Sequence, residues 1–168
     1  VPRVGTFNEV VGVDILFITN CRGKKFMYQS VLDMSGKMHI AVLVTSRESE
    51  HLLYWFRMAW MLWAGPPKAV YCDKDGGYGG IFHDTLLQMG IDIKPIPAEA
   101  HWQAGVVERH QQTWKYMAQT TINAMQIETE EEMTSLAVEV NHAKNTTTRQ
   151  AGYSAAMWTF GREIDLPS

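Results

Sequence analysis

From Ala98 to Met125 the chain reads AEAHWQAGVVERHQQTWKYMAQTTINAM, a stretch that opens as a loop and becomes a long amphipathic helix. From Trp114 onward, Trp114, Met117, Ala118, Ile122 and Met125 recur at intervals of three and four, the period of a helix with one buried face. Glu108, Gln112, Lys115 and Gln119 repeat with the same period on another face. Pro97 upstream and Gly105 just before the helix set off a segment free to bend. That reading places Glu108 in the first turn of the helix, a carboxylate on a stiff element beside a loop that can move.

The chain ahead of this helix reads as sheet. Val10 to Thr19, VVGVDILFIT, is a β-rich run interrupted by one acid, Asp14. Tight turns at 20–23 and 33–36 lead to a second strand over Lys25 to Leu32 and a third over Lys37 to Val44, which makes an antiparallel meander. Thr45 or Ser46 then caps a helix with Glu48 in its first turn, and Gly65-Pro66-Pro67 ends it. Leu52, Trp55, Phe56, Ala59 and Trp63 form its core stripe, while Tyr54, Met58 and Met61 add apolar surface on another side. Ala69 to Cys72 is a short apolar strand that ends at Asp73, and the glycine-rich DKDGGYGG is a loop. Ile81 to Met89 reads as a helix, and Ile91 to Ile96 as a fifth strand bounded by Pro95 and Pro97, which suits a sheet edge. Glu130 to Lys144 reads as a further helix, and the last 18 or so residues as a short helix and irregular tail. These passages add parallel pairing to the meander, so the expected class is α/β, a mixed five-stranded sheet flanked by helices.

Composition limits what such a fold can do. The 168 residues, 46% of them hydrophobic, suit one globular domain spanning 1–168. No run of 18 apolar residues and no signal-peptide pattern occurs, so a membrane span or secretion is not expected and the protein reads as intracellular. Cys21 and Cys72 stand outside any zinc or disulfide spacing. His39, His51, His83, His110 and His142 lack metal spacing as well and read as structural or solvent-exposed. A formal net charge of −3 has the wrong sign for binding nucleic acid by charge alone, so any such role needs a local patch, metal ions or neighbouring domains.

An acid in the first strand, an acid ending the fourth and an acid opening the helix after the fifth resemble the catalytic core of retroviral and LTR-retrotransposon integrases, which are ribonuclease H-like. The resemblance spans almost the whole chain. It rests on FNEVVGVDILFI, GPPKAVYCDKDGGYGGIF, AEAHWQAGVVER and NHAKNTTTRQAGYSAAMWTFGREIDLP. The family motif has two aspartates and a glutamate, with about 35 residues between the second and third acids. Here 34 residues, 74 to 107, lie between Asp73 and Glu108, and Asp75 would leave 32. Asp73 also ends the apolar strand, so it takes the role, with Asp75 in reserve. The sequence departs from the pattern at Lys74-Asp75, which precedes the glycines where the family has a simple D-x-G turn, and at Ala155, where the tail motif has proline.

The resemblance implies Asp14, Asp73 and Glu108 as catalytic residues and ligands of Mg²⁺, with Mn²⁺ as a substitute and two ions expected with substrate. Carboxylates suit this chemistry, because phosphodiester transfer is largely positioning and charge neutralisation, supplied by two ions about 3.5–4 Å apart with oxygen ligands. The implied activity is trimming of DNA 3′ ends and their joining to target DNA. Each acid also has an ordinary explanation: a buried partner for lysine at Asp14, a turn residue at Asp73, a charge favourable to the helix dipole at Glu108. Their joint placement is what singles them out. Gln112 and Lys115 are candidates for DNA contact, as are Trp102 and Gln103 in the loop with His101, where a ring can stack on a base. A self-association face over Tyr54, Met58 and Met61, other integrase domains of a larger polyprotein, and a nuclear or cytoplasmic-particle location complete the expectation. The alternatives are a ribonuclease H-like nuclease or another acid-triad transposase, a domesticated inactive DNA- or protein-binding module, and a purely structural assembly domain.

Overall fold

The computed structural model of the protein describes residues 5–73, 77–95, 101–147, 149–150 and 153–160; of these, the side chains of 101–103, 149, 150, 153 and 158 are outside the description. Strands β1 (Val10–Thr19), β2 (Lys25–Asp33) and β3 (His39–Val44) form the antiparallel meander, with Asp14 opposite Ser30 and Ser30 opposite Ala41. Strand β4 (Ala69–Tyr71) pairs in parallel with β1, and β5 (Asp92–Lys94) in parallel with β4, giving the order β3-β2-β1-β4-β5. The fifth strand is shorter than the sequence suggests. Its hydrogen bonding stops before Pro95, a residue with no N–H to offer.

Side chains of β1 alternate between two faces of the sheet, as the pleat requires. Val11 and Val13 enter one core with Phe56, Trp60, Phe82 and Leu86, supplied by α1 (Ser49–Phe56), the turn that follows it and α3 (Gly80–Gln88). Leu16 and Ile18 enter the other with Trp114, Ala118, Ile122 and Leu136, supplied by α4 (His101–Met125) and α5 (Glu130–Thr147). The sheet is thus a middle layer between helices. Among the described residues no helix is long and apolar enough to cross a membrane.

Two asparagines close the outer edge of the sheet. Asn141 and Asn145, one turn apart on α5, each accept a backbone N–H and donate to the carbonyl of the same β3 residue, Ala41 and His39 respectively, at 2.8–2.9 Å. Each side-chain amide takes the place of a further strand, so the edge is satisfied without being open to another chain. Asn141 Oδ1 also accepts the indole N–H of buried Trp114 at 2.8 Å, tying α4 to the same edge.

The first helix differs from its periodic reading. Glu48 is its N-cap residue rather than part of its first turn, and Ser46 Oγ accepts the Glu48 N–H at 3.0 Å instead of capping the helix directly. After Phe56 the chain makes a π-helical turn, Arg57–Met61, before the short α2 (Leu62–Ala64). The wider turn rotates everything beyond it. Trp60 therefore enters the core fully and Trp63, expected there, is 40% exposed; Met61 packs against the core while Leu62 points outward at 73%. Tyr54 and Met58, before or within the turn, are exposed as their spacing indicates.

The end of the chain adds a two-stranded hairpin, β6 (Arg149–Gln150) with β7 (Tyr153–Ser154), that sequence pattern does not announce, and then α6 (Ala155–Phe160). Phe160 of α6 lies 6.0 Å from Trp63, ring centre to ring centre, and remains 48% exposed.

Candidate active site

Helix α4 runs alongside β1, and where they meet the helix-facing residues of the strand change from apolar to polar. Toward the far end, Leu16 and Ile18 share a dry cluster with Trp114 and Ala118. Toward the near end, Gly12 gives α4 room: a methyl group at Gly12 would lie 3.0 Å from Val107 Cγ2. Between them Asp14 is half-buried. Its Oδ1 accepts the N–H of Ile15 at 2.8 Å, and its Oδ2 accepts the Nε2–H of Gln111 at 3.2 Å.

The parallel pairing of β1 with β4 places the second acid. Gly12 pairs with Tyr71, the last residue of β4, and the same register extended by two residues would set Asp73 opposite Asp14. Val11 and Val13 share their core with Val70 and Cys72, which leaves Asp14 on the opposite face, the one toward α4. Asp73 is exposed. Asp75 lies outside the described residues.

The loop that follows Asp73 is clasped at its far end. Gly77 has φ +105°, and a Cβ there would lie 2.1 Å from the Arg47 carbonyl oxygen, so no other residue fits. Tyr78 is buried, donates its hydroxyl to Gln29 Oε1 at 3.0 Å and meets the Phe82 ring edge-on at 4.9 Å. Gln29 Nε2 in turn donates to the Leu52 carbonyl at 3.2 Å. Burial, and then the Asp14 carboxylate, push the Tyr78 phenol well above its ordinary pKa, so it stays a neutral donor. Ser49 Oγ completes the clasp by donating to the Gly79 carbonyl at 2.6 Å and accepting the Phe82 N–H at 2.7 Å.

Glu108 is exposed on α4 and accepts from Gln112 Nε2 at 3.5 Å, along its own helix. Its position corrects the expectation of a first-turn acid. The helix begins at His101, about two turns earlier, so the segment read as a mobile loop at 101–103 is its opening turn. Gly105 lies inside the helix; with nothing within 4 Å of a Cβ there, it costs about 1 kcal/mol of helix propensity without breaking the helix. Gln112 and Lys115 are exposed, and the side chains of Trp102 and Gln103 are outside the description.

The donor set suits a hard divalent cation, because Asp14, Asp73 and Glu108 offer oxygen alone. In this arrangement the donors are not gathered. Among the described residues no three His, Cys, Asp or Glu side chains stand close enough together to hold a metal ion. The polar partner that reaches Asp14 from α4 is Gln111, which the helical period gave no reason to single out from its neighbours.

Sequence pattern also gave no sign of a second polar group beneath this surface. Lys144 of α5 is 1% exposed, and its Nζ donates to His110 Nδ1 on α4 at 2.8 Å. Burial lowers the Lys144 pKa to about 7. It also lowers that of His110 to about 3, helped by the charges of Lys144, Lys37 and Arg109. Buried His39 is depressed as well, first by desolvation, and shares a 2.6 Å hydrogen bond between Nε2 and Ser30 Oγ while its Nδ1 has no partner. The imidazoles are neutral, and Lys144 lies between Asn141 and Asn145, the two residues of α5 that hold the edge of β3.

The magnesium complex of the HTLV-2 integrase catalytic core domain in its trimeric form superposes with a TM-score of 0.74 at 11% identity, covering 92% of this chain and 97% of that one. The fold is that of retroviral integrase catalytic cores. The BIV integrase core gives 0.72 at 13% identity, covering 92% and 95% of the two chains. A simian T-cell lymphotropic virus intasome in complex with PP2A regulatory subunit B56 gamma gives 0.80 at 13% identity, covering all of this chain and 60% of that one. No protein-family model matches the sequence, and no curated protein matches it. The likeness is one of backbone fold.

Proposed function

We propose that this domain, residues 1–168, is the catalytic core of an integrase, a metal-dependent enzyme that trims DNA 3′ ends and joins them to target DNA. The observation that supports the reading is the register of β1 with β4, which runs toward Asp14 on one strand and Asp73 just past the other, where α4, bearing Glu108, approaches β1 at Gly12. Asp14, Asp73 and Glu108 would hold Mg²⁺, or Mn²⁺ in its place. Bound ions supply charge neutralisation at the phosphate and a more acidic nucleophile. Gln112 and Lys115 lie on the exposed side of α4 near Glu108 and are suited to DNA phosphate, with Trp102 and Gln103 at the start of the same helix. The magnesium in the HTLV-2 core structures supports the choice of ion.

The test is a Mn²⁺ titration of the wild-type chain and of Asp14→Asn, run beside a substrate panel of DNA end joining and RNA–DNA hybrid cleavage. Binding that disappears in Asp14→Asn, together with joining of DNA ends, is the expected result. Hybrid cleavage without DNA joining would make the protein a ribonuclease H-like nuclease, and no metal binding at all would make it a binding or assembly module.

The same reading includes self-association and other domains of a polyprotein. Of the expected face Tyr54, Met58 and Met61, the first two are exposed and apolar, as is nearby Leu62, while Met61 packs against the core; exposed apolar surface of this kind marks an interface. Dimeric and trimeric forms of the HTLV-2 core are known, which supports a multimer here. Sedimentation at micromolar concentration should give a dimer that Met58→Glu converts to a folded monomer; a wild-type monomer at the highest soluble concentration would refute it.

A further inference from the structure

We infer that Gln111 is a positioning residue for Asp14, the partner that fixes the orientation in which this carboxylate meets a divalent cation. The inference rests on the metal-dependent reading above. A carboxylate turns readily about its last torsion, which is broad and roughly two-fold. The Ile15 N–H holds Oδ1, but it belongs to the same strand as Asp14 and leaves the group free to turn about that one contact. Gln111 holds Oδ2 from a different element, and two contacts on two oxygens from two elements define the carboxylate plane. Each oxygen has a second acceptor site, so both hydrogen bonds can persist while an ion is bound.

The residue type fits the task. A lysine or arginine at 111 would neutralise Asp14 and compete with the cation, a carboxylate would repel it, and an apolar side chain would leave it unoriented. An amide donates without adding charge. Its reach is set one turn earlier, where Gly12 admits Val107 and brings α4 down onto β1. Gln111 also lies three residues beyond Glu108, so the same part of α4 that presents one acid orients another. Hydrogen-bond partners of metal-binding carboxylates contribute 10- to 100-fold to affinity in general, and a single neutral contact of 3.2 Å belongs at the lower end of that range.

The alternative role is a plain tie between helix and strand, and Gln111→Met separates the two because it keeps length and volume but removes the donor. Mn²⁺ titration of the whole chain should give a dissociation constant about 10-fold weaker in Gln111→Met, with the thermal midpoint of the metal-free protein unchanged. Gln111→Lys should lose Mn²⁺ binding at neutral pH while remaining folded. Wild-type binding with an unchanged constant in Gln111→Met overturns the inference alone. A midpoint that falls in step with affinity assigns Gln111 to holding the helix and overturns it too. Wild-type protein that takes up no Mn²⁺ overturns the metal-dependent reading, and this inference with it.

Discussion

On the α4 side of the sheet the chain keeps Asp14 half-buried and Glu108 exposed, with Asp73 exposed just beyond β4, while between α4, α5 and β3 it encloses the buried Lys144 and His39 and the half-buried His110. The acids come from three separate elements or their ends, and solvent reaches each of them. Lys144 has no carboxylate paired with it among the described residues, and its hydrogen-bond partner is a neutral imidazole. A buried base in that position gives up its proton instead of finding a counter-ion. The first group is open to solvent, and the second ties elements together. They meet on α4, where His110, bonded to Lys144, lies two residues from Glu108 and one from Gln111.

The largest effect tests whether the acidic group works as a set. Asp73→Asn keeps the size of the side chain and removes its charge, and should cost at least about 100-fold in DNA joining and abolish Mn²⁺ binding at one site, with the fold unchanged by circular dichroism. Asp75→Asn should leave both nearly intact. An inactive Asp75→Asn beside an active Asp73→Asn would move the second acid two residues on, and the comparison would have to be redrawn around the loop instead of the strand end.

A smaller effect concerns the approach of α4 to the sheet. Gly12→Ala brings a Cβ to 3.0 Å from Val107 Cγ2, a contact that a few tenths of an ångström of movement relieves. Lower strand entropy in the unfolded chain offsets this, so Ala should be close to neutral. Gly12→Val cannot be absorbed that way and should cost about 1–3 kcal/mol, measured by denaturant unfolding. Because it pries apart the two elements that carry Asp14 and Glu108, Gly12→Val should also weaken Mn²⁺ binding more than Gly12→Ala does. Equal metal affinity in the two variants would show that the acids do not depend on this contact.

What the sequence made legible follows from what repeats. The meander, its turns and the acid within the first strand were readable because alternation and glycine-bounded turns are local signals, and the core neighbours of β1 fall where period two puts them. Trp63 and Met61 were misplaced because a π-helical turn has no signature in a 3.6-residue pattern, yet it rotates all that follows. The opening of α4 at His101 was missed because Gly105 reads as a boundary, whereas a helix tolerates one glycine when length and packing beyond it suffice. Lys144 and His110 could not be paired from the sequence. Their contact joins residues 34 positions apart on separate helices, and nothing local marks a lysine that is destined for the interior.

The smallest effect isolates that lysine. A base whose pKa falls from 10.5 unfolded to about 7 folded binds fewer protons in the folded state between those values, so its contribution makes stability rise with pH across that window. Below about 7 the full cost of keeping an ammonium in the interior is present. His110 and His39 act in the same direction at lower pH, since their depressed values make stability fall as pH drops below the ordinary histidine range. Lys144→Met retains most of the buried stem and removes the amine, at the expense of an unpartnered His110 Nδ1. Replacing an uncompensated buried charge outweighs one lost neutral hydrogen bond, so the variant should be about 1–2 kcal/mol more stable at pH 6. That advantage should shrink steadily to pH 10, where the wild-type amine is neutral. Urea unfolding at pH 6, 8 and 9.5 measures this below the range in which the buried tyrosines Tyr28 and Tyr78, both raised by burial, reverse the trend. A variant less stable than wild type by the same amount at all three pH values would mean that the amine serves as a hydrogen-bond donor in a site that already tolerates its charge, and the contrast between the two polar groups would be lost.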